Sequence, residues 1–134
     1  MKLFCAYAFT GEDLAVVTKR MRMVVDTLNQ NGHDAYCNRF DAVVDKLQEA
    51  NDINGIFKEA FKDIGLSEAV VAVVTTPYKS VGQIMEIGVA LSQSKPVFLF
   101  EHSTAKGSTY LPRLSTKSYE WSTEAELLNA LKEI

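Results

Sequence analysis

The order of apolar segments along the chain predicts an α/β protein with helices on both faces of a parallel sheet. Short strand-like segments alternate with segments whose apolar residues recur at helical spacing, the pattern of strands joined by crossover helices. Residues 69–74 are apolar without alternation, as in a strand that is covered on both faces. With right-handed crossovers, these features predict a three-layer sandwich around a flavodoxin-like sheet of about five strands in the order 2-1-3-4-5.

Each predicted strand is short and is bounded by polar or turn-forming residues. Residues 2–7, 69–74 and 97–100 are mainly apolar, which suits buried central strands. Residues 33–37 predict a further strand, and residues 119–121 predict a short strand at the edge of the sheet.

Helices are predicted where apolar residues recur three and four positions apart. They are expected over residues 14–28, 42–50, 52–64 and 82–94, and after a cap at Ser122 or Thr123. Gly32 follows the first of them as a candidate left-handed cap. The polar stretch 101–117 contains Gly107 and Pro112 and is expected to be the longest irregular segment.

Length and composition restrict the class of protein. A chain of 134 residues fits one domain, residues 1–134, and 47% apolar with 23% charged residues is typical of globular proteins. The net charge of −3 offers no broad basic surface for DNA or RNA. No apolar run is long enough to cross a membrane, and the chain start shows no export signal, so we expect a cytoplasmic protein. Cys5 and Cys37 are then expected to be buried free thiols, and no metal-ligand spacing is present.

Two loops are expected to matter most for function. In this architecture ligands bind at the carboxyl ends of the strands, near the switch point between the first and third strands. Residues 8–13 and 75–82 follow those two strands. The second loop ends at a helix N-terminus, where free N–H groups suit an anion and Ser80 adds a hydroxyl group. The loop has neither a P-loop nor a dinucleotide-binding glycine pattern.

Glu86 lies one turn into the helix that follows this loop. It is either a solvated glutamate or a nucleophile that the helix dipole keeps ionised, with Gly82 and Gly88 allowing a substrate ring to approach. Tyr7 and Phe9, near the end of the first strand, are either packing residues or a stacking wall for a planar base. Other charged residues are expected on solvated helix faces: Lys19, Arg20, Arg22, Asp52, Glu59 and Asp63.

Residues 81–97 resemble the signature of the nucleoside 2-deoxyribosyltransferase family. That signature is a glycine, then Glu-[Ile/Leu]-Gly-x-Ala, then a turn with Lys-Pro before a strand, and it matches Gly82, Glu86 to Ala90, and Lys95-Pro96. The first strand and the segment 67–71 are similar to the family as well, so the resemblance extends over most of the chain.

The resemblance implies retaining glycosyl transfer. Glu86 would attack the anomeric carbon of a 2′-deoxynucleoside, expel the base and form a covalent glycosyl-enzyme, which a second base or water then resolves. The base would stack near Tyr7 or Phe9. The resemblance implies a small nucleoside or nucleotide as partner, and neither a metal nor an organic cofactor.

The resemblance also implies a homodimer or larger homo-oligomer, because family members of this size complete their pockets with a neighbouring subunit. The segment expected to be lent is 101–117, with Ser103, Ser108 and Tyr110.

Two positions differ from the family pattern. A family Asp that holds the sugar or assists protonation of the base is Ala60 here, so that either Glu59 or Asp63 is expected to substitute or the activity is expected to be weak or altered. Ser80 stands where transferases have Asp and where the related 2′-deoxynucleoside 5′-phosphate N-hydrolases have a phosphate-binding Ser, but the Arg of those hydrolases after the first strand is missing. A 5′-monophosphate N-glycosidase, a non-catalytic nucleotide-binding module and a TIR-like interaction domain remain alternatives.

Overall fold

The computed structural model describes residues 1–8 and 10–134 and contains a five-stranded parallel sheet. The strand order is β2-β1-β3-β4-β5, which confirms the predicted fold class. The strands are β1 (Lys2–Tyr7), β2 (Asp34–Tyr36), β3 (Ala69–Val74), β4 (Val97–His102) and β5 (Lys117–Trp121).

The helices cover both faces of the sheet. They are α1 (Leu14–Gln30), α2 (Ala42–Glu49), α3 (Ile53–Gly65), α4 (Val81–Ser92), α5 (Leu111–Leu114) and α6 (Glu124–Leu131), with short 3-10 helices at Asn38–Phe40 and Ser103–Ala105. Gly32 has a φ of +90°, which confirms the predicted left-handed residue after α1. Thr123 accepts a hydrogen bond from the backbone of Glu126 and is the cap of α6.

The stretch 101–117 is more regular than predicted. Glu101 and His102 extend β4, because they pair with Glu120 and Trp121 of β5. The same stretch contains a 3-10 helix and α5, which is only four residues long and therefore leaves no periodic apolar pattern in the sequence.

The core lies on both sides of the sheet, as the apolar run of β3 predicts. All six residues of β3 are buried. Val71 and Val73 pack with residues of α1 and α6 on one face, whereas Val70 and Ala72 pack with residues of α3 and α4 on the other. Cys5 and Cys37 are free and buried on the first of these faces, which confirms that prediction. None of the helices in the described part of the chain has the length and apolar character that a membrane span requires.

Arg20 corrects the expectation that the basic residues of α1 form a solvated face. It is 9% exposed and makes a two-pronged ion pair with Glu12, with both N–O distances at 3.1 Å. The hydroxyl group of Thr75 donates a hydrogen bond of 2.5 Å to the same carboxylate. Glu12 therefore joins the loop after β1 to the loop after β3, the two loops that border the predicted ligand site.

Candidate active site

A cleft of about 310 Å³ opens at the carboxyl edge of the sheet, beside the ends of the neighbouring strands β1 and β3. This is the switch point at which the fold class predicts a ligand. The cleft is lined by Tyr7, Asn38, Arg39, Val44, Asp45, Gln48, Asn51, Ile53, Ile56, Phe57, Ser80, Gly82, Gln83 and Glu86.

Glu86 lies in this cleft and is 8% exposed. Loss of hydration on burial raises the pKa of Glu86 to about 8, and no hydrogen bond from the described residues offsets the effect. We expected the helix dipole to keep this residue ionised. That expectation is wrong, because side chains of α2 and α3 cover the site and the loss of hydration favours the neutral carboxyl group.

Gln83 fixes the orientation of Glu86. Its side-chain amide is buried and donates to the carbonyl oxygens of Ala6, at 3.3 Å, and Val73, at 2.9 Å. These carbonyls belong to the ends of the two central strands, so the first turn of α4 is tied to the sheet on both sides of the switch point. Glu86 lies one turn further on and faces the cleft as a result.

Ser80 and Gly82 form the rim where α4 begins. The Ser80 hydroxyl accepts a hydrogen bond of 3.3 Å from the backbone N–H of Gln83, so Ser80 is the N-cap of α4. The first turn of α4 contains no acidic residue, which leaves its dipole available to an anion. A Cβ atom at Gly82 would lie 3.7 Å from the Phe57 ring, so the glycine keeps the cleft open at this point. Gly88 is exposed and lies outside the cleft, which corrects its predicted role there.

The apolar wall of the cleft comes mainly from α3. Ile53, Ile56 and Phe57 are spaced three and four residues apart and line it together. Tyr7 lines the cleft, and burial raises the pKa of its hydroxyl group still further above neutral pH. Phe9, the other predicted stacking residue, lies outside the described residues.

Glu59 and Asp63 are not brought into the cleft. Glu59 pairs with Lys62 on the same helix, at 3.7 Å, and Asp63 lies beside the Tyr36 hydroxyl group, whose pKa it helps to raise. Ala60 is 2% exposed and packs in the core under α4. Helix α3 therefore contributes no carboxylate to the described lining of the cleft.

Sequence reasoning missed the polar side of the cleft, which is formed by the segment after β2. Asn38 and Arg39 lie in the 3-10 helix that follows β2, while Asp45 and Gln48 lie on α2. The guanidinium group of Arg39 donates to the hydroxyl of Thr18 at 3.0 Å and lies 3.7 Å from the Asp45 carboxylate. The strand-end rule that selected the loops after β1 and β3 also applies to β2, which lies beside β1, and would have found these residues.

Glu86 lines this cleft and not the other depressions found at the described residues near β2, β4 and α5. A shallow depression of about 430 Å³ near β4 and β5 shares no residue with it and contains none of the signature residues. Within residues 1–8 and 10–134, no group of three His, Cys, Asp or Glu side chains is arranged to hold a metal ion.

Comparisons with known proteins show the family to which the chain belongs. The sequence profile of the family described as nucleoside 2-deoxyribosyltransferase matches residues 4–126. Among curated proteins, none matches the chain.

Solved structures share the fold at low sequence identity. The CMP N-glycosidase of Clostridium botulinum aligns with a TM-score of 0.74 and 20% identity over 99% of this chain and 98% of that one. A 2-deoxyribosyltransferase from Bacillus psychrosaccharolyticus aligns with a TM-score of 0.65 and 18% identity, over 96% of this chain and 91% of that one. A conserved protein from Enterococcus faecalis aligns with a TM-score of 0.64 and 17% identity, over 99% of this chain and 98% of that one. With the profile matching nearly the whole chain, the protein belongs to the nucleoside 2-deoxyribosyltransferase family.

Proposed function

We propose that this protein cleaves or transfers the N-glycosidic bond of 2′-deoxynucleosides through a covalent intermediate on Glu86. The observation that supports the proposal is the position of Glu86, a buried carboxyl group in the switch-point cleft, within the segment that carries the family signature. A carboxylate there has the place and the chemistry of the nucleophile in retaining glycosyl transfer.

The reaction would run in two balanced steps. A carboxylate oxygen of Glu86 bonds to the anomeric carbon as the bond from that carbon to the base nitrogen breaks, and the base leaves with one proton. In the second step another base, or water, attacks the same carbon and frees Glu86. The apolar wall of Ile53, Ile56 and Phe57 would hold the planar base, and the protonated Tyr7 hydroxyl would donate a hydrogen bond to the sugar or to Glu86.

A hydrolase acting on 5′-monophosphates is the second candidate, and the rim of the cleft favours it. Ser80 and the first turn of α4 provide a hydroxyl group, backbone N–H groups and a dipole free of acidic side chains. The structural neighbour from Clostridium botulinum is named as a CMP N-glycosidase.

Product analysis distinguishes the two candidates. The protein is incubated with deoxyinosine and adenine, and separately with 2′-deoxynucleoside monophosphates without an acceptor base. Base exchange in the first mixture supports the transferase, whereas free base in the second supports the hydrolase. Mass spectrometry of acid-quenched reactions should detect a deoxyribosyl adduct on Glu86. Glu86→Gln should abolish both reactions, and Glu59→Gln, a carboxylate outside the cleft, should not.

A non-catalytic nucleotide-binding module is a further candidate, because Ala60 is buried and α3 supplies no carboxylate to the described part of the cleft. Calorimetry that finds tight nucleotide binding, with no turnover over hours, would favour it. Turnover that depends on Glu86 would exclude it.

We propose in addition that the protein assembles as a homodimer or larger homo-oligomer. The outer face of α4 exposes Val81, Ile84 and Met85, with 70%, 37% and 43% of their surfaces accessible, and Tyr110 nearby is 78% exposed. Apolar side chains grouped in this way mark contact surfaces. The two free buried thiols fit a reducing, cytoplasmic setting.

A further inference from the structure

We propose that Asp45 is the acid–base residue that passes a proton to the departing base, with Arg39 as its positioning residue. This inference rests on the proposed function, in which Glu86 is the nucleophile. It places the second carboxyl group on α2, where neither the sequence signature nor the resemblance located one.

The composition of the cleft supports the choice of Asp45. Among the described residues that line the cleft, Asp45 and Glu86 are the two carboxylic acids. They come from different helices, α2 and α4, which border the cleft together with the apolar wall of α3. Retaining glycosyl transfer uses two such groups, one to attack the anomeric carbon and one to exchange a proton with the leaving group.

The other acidic residues near α3 do not meet this requirement. Glu59 is engaged by Lys62, and Asp63 lies beside Tyr36. Neither lines the cleft. Ala60 has no functional group and is packed in the core. Among the carboxyl groups of the described residues, Asp45 on α2 is therefore the one left to exchange a proton with the base.

Arg39 is the charged neighbour of Asp45. Arg39 is anchored by its hydrogen bond to Thr18, and its guanidinium group lies 3.7 Å from the Asp45 carboxylate. Asp45 also lies in the first turn of α2, whose dipole favours a negative charge. About half of the Asp45 side chain is exposed, so a base that enters the open side of the cleft can reach it.

The proton balance of the first step agrees with this assignment. Burial raises the pKa of Glu86 to about 8, so Glu86 holds a proton at neutral pH. When Glu86 attacks as the carboxylate, this proton passes to the Asp45 carboxylate and from Asp45 to the leaving base nitrogen. In hydrolysis, water attacks the anomeric carbon, the bond from that carbon to Glu86 breaks, and a proton of the water returns through Asp45 to Glu86. No other reactant is required.

The test compares substrates that need a proton on the leaving base with substrates that do not. The base of 7-methyl-2′-deoxyguanosine is already cationic and departs without protonation, whereas that of 2′-deoxyguanosine requires a proton. Asp45→Asn should lower kcat/KM for 2′-deoxyguanosine by about 10²- to 10⁴-fold, the usual contribution of general acid catalysis, and change it less than about fivefold for the methylated substrate. For a pyrimidine-specific enzyme, 2′-deoxyuridine and 5-fluoro-2′-deoxyuridine form the corresponding pair.

Matched variants separate this assignment from a structural effect and from the proposed function itself. Glu59→Gln should leave both substrates unaffected, and Arg39→Lys should retain more of the proton-dependent reaction than Arg39→Met. An equal loss on both substrates in Asp45→Asn, or no loss on either, would overturn the role of Asp45. Glu86→Gln should abolish both reactions. If it does not, the nucleophile is wrong, which is a different result from the failure of Asp45.

Discussion

Glu86 loses its contact with water because α2 and α3 contribute the walls of the cleft into which α4 directs it. A carboxyl group in such surroundings retains its proton, whereas a nucleophile has to give that proton up. The residue expected to perform the chemistry therefore destabilises the fold whenever it is ionised. This effect depends on pH in a defined way.

Glu86→Gln is expected to remove a loss of stability between about pH 5 and pH 8. The pKa of Glu86 rises from an ordinary 4.5 to about 8 on folding, so the neutral form stabilises the fold below pH 4.5, and this stabilisation is lost as the pH rises through 8. At about 1.4 kcal/mol per pKa unit, the wild type should lose about 3 kcal/mol of unfolding free energy between pH 5 and pH 8 that the variant keeps. Urea unfolding followed by the fluorescence of Trp121 measures the difference. Equal slopes against pH in the two proteins would contradict it, and Glu59→Gln should behave as the wild type.

The dependence of activity on pH should differ between the two kinds of leaving group. For 7-methyl-2′-deoxyguanosine, kcat/KM should rise with pH and level off near 8, because only ionisation of Glu86 is required. For 2′-deoxyguanosine it should fall above about 8, because the pair of carboxyl groups then lacks the proton that the base needs. Tyr7, Cys37, Arg39 and Asp45 are the other ionisable groups around Glu86. Identical pH profiles of kcat/KM for the two substrates would contradict the transfer of a proton from these carboxyl groups to the base.

At the scale of the elements, Lys95 of the Lys-Pro pair stabilises the turn between α4 and β4. The ammonium group of Lys95 donates hydrogen bonds of 2.6, 2.8 and 2.6 Å to the carbonyl oxygens of Ile64, Gly65 and Ser67. These carbonyls lie at the end of α3 and just before β3, where the helix leaves acceptors without partners and its dipole is negative. Lys95 thus connects α3, β3 and β4 at the edge of the sheet away from the cleft.

Lys95→Met is expected to lower the unfolding free energy by about 1–3 kcal/mol, the contribution of hydrogen bonds from a charged donor. The activity of the folded variant should stay near that of the wild type, because Lys95 does not line the cleft. Chemical unfolding and kcat at a permissive temperature measure the two effects. Lys58→Met, an exposed change on α3, is the matched control and should alter neither. Unchanged stability in Lys95→Met would show that water replaces the ammonium group without loss.

Most helices and strands were predictable because their pattern of apolar residues is visible within the segment itself. The uninterrupted apolar run of β3 and the spacing of α1 determine their own structure whatever surrounds them. The extension of β4 was not predictable, since Glu101 and His102 are polar and become strand only by pairing with β5. The burial of Arg20 likewise depends on its ion pair with Glu12 in the preceding loop. No sequence pattern predicts a contact between residues eight positions apart.

The candidate site was predictable to a smaller extent. Glu86, Ser80 and Gly82 were found because they belong to one contiguous segment after β3. Arg39 and Asp45 lie 35 or more residues before this segment and reach the same cleft through the pairing of β2 with β1, and a single sequence does not report that proximity. The opposite error occurred at Glu59 and Asp63, whose closeness to Ala60 in sequence suggested substitution although the helix directs them elsewhere.

At the scale of the whole molecule, the cleft is open on one side and the adjoining surface is apolar. The exposed residues of α4 point away from Gln83 and Glu86, on the side of the helix opposite the cleft. Ile84 and Leu114 also border a shallow apolar depression that includes Tyr110, within the segment expected to be lent to a neighbour. A second copy packed on this surface would cover it and bring its own 101–117 segment close to a cleft.

Met85→Glu is therefore expected to convert the assembly into monomers of 14.9 kDa and to lower activity together with the association. A charge placed on an apolar contact surface has to be desolvated when the subunits meet, which opposes their association. Analytical ultracentrifugation and product assays over the same range of concentrations measure both effects, and circular dichroism checks that the variant is folded. Val16→Glu introduces the same charge at a 50% exposed apolar residue of α1 and should leave assembly and activity unchanged. A wild-type protein that is strictly monomeric and still active would show that one chain completes its own pocket.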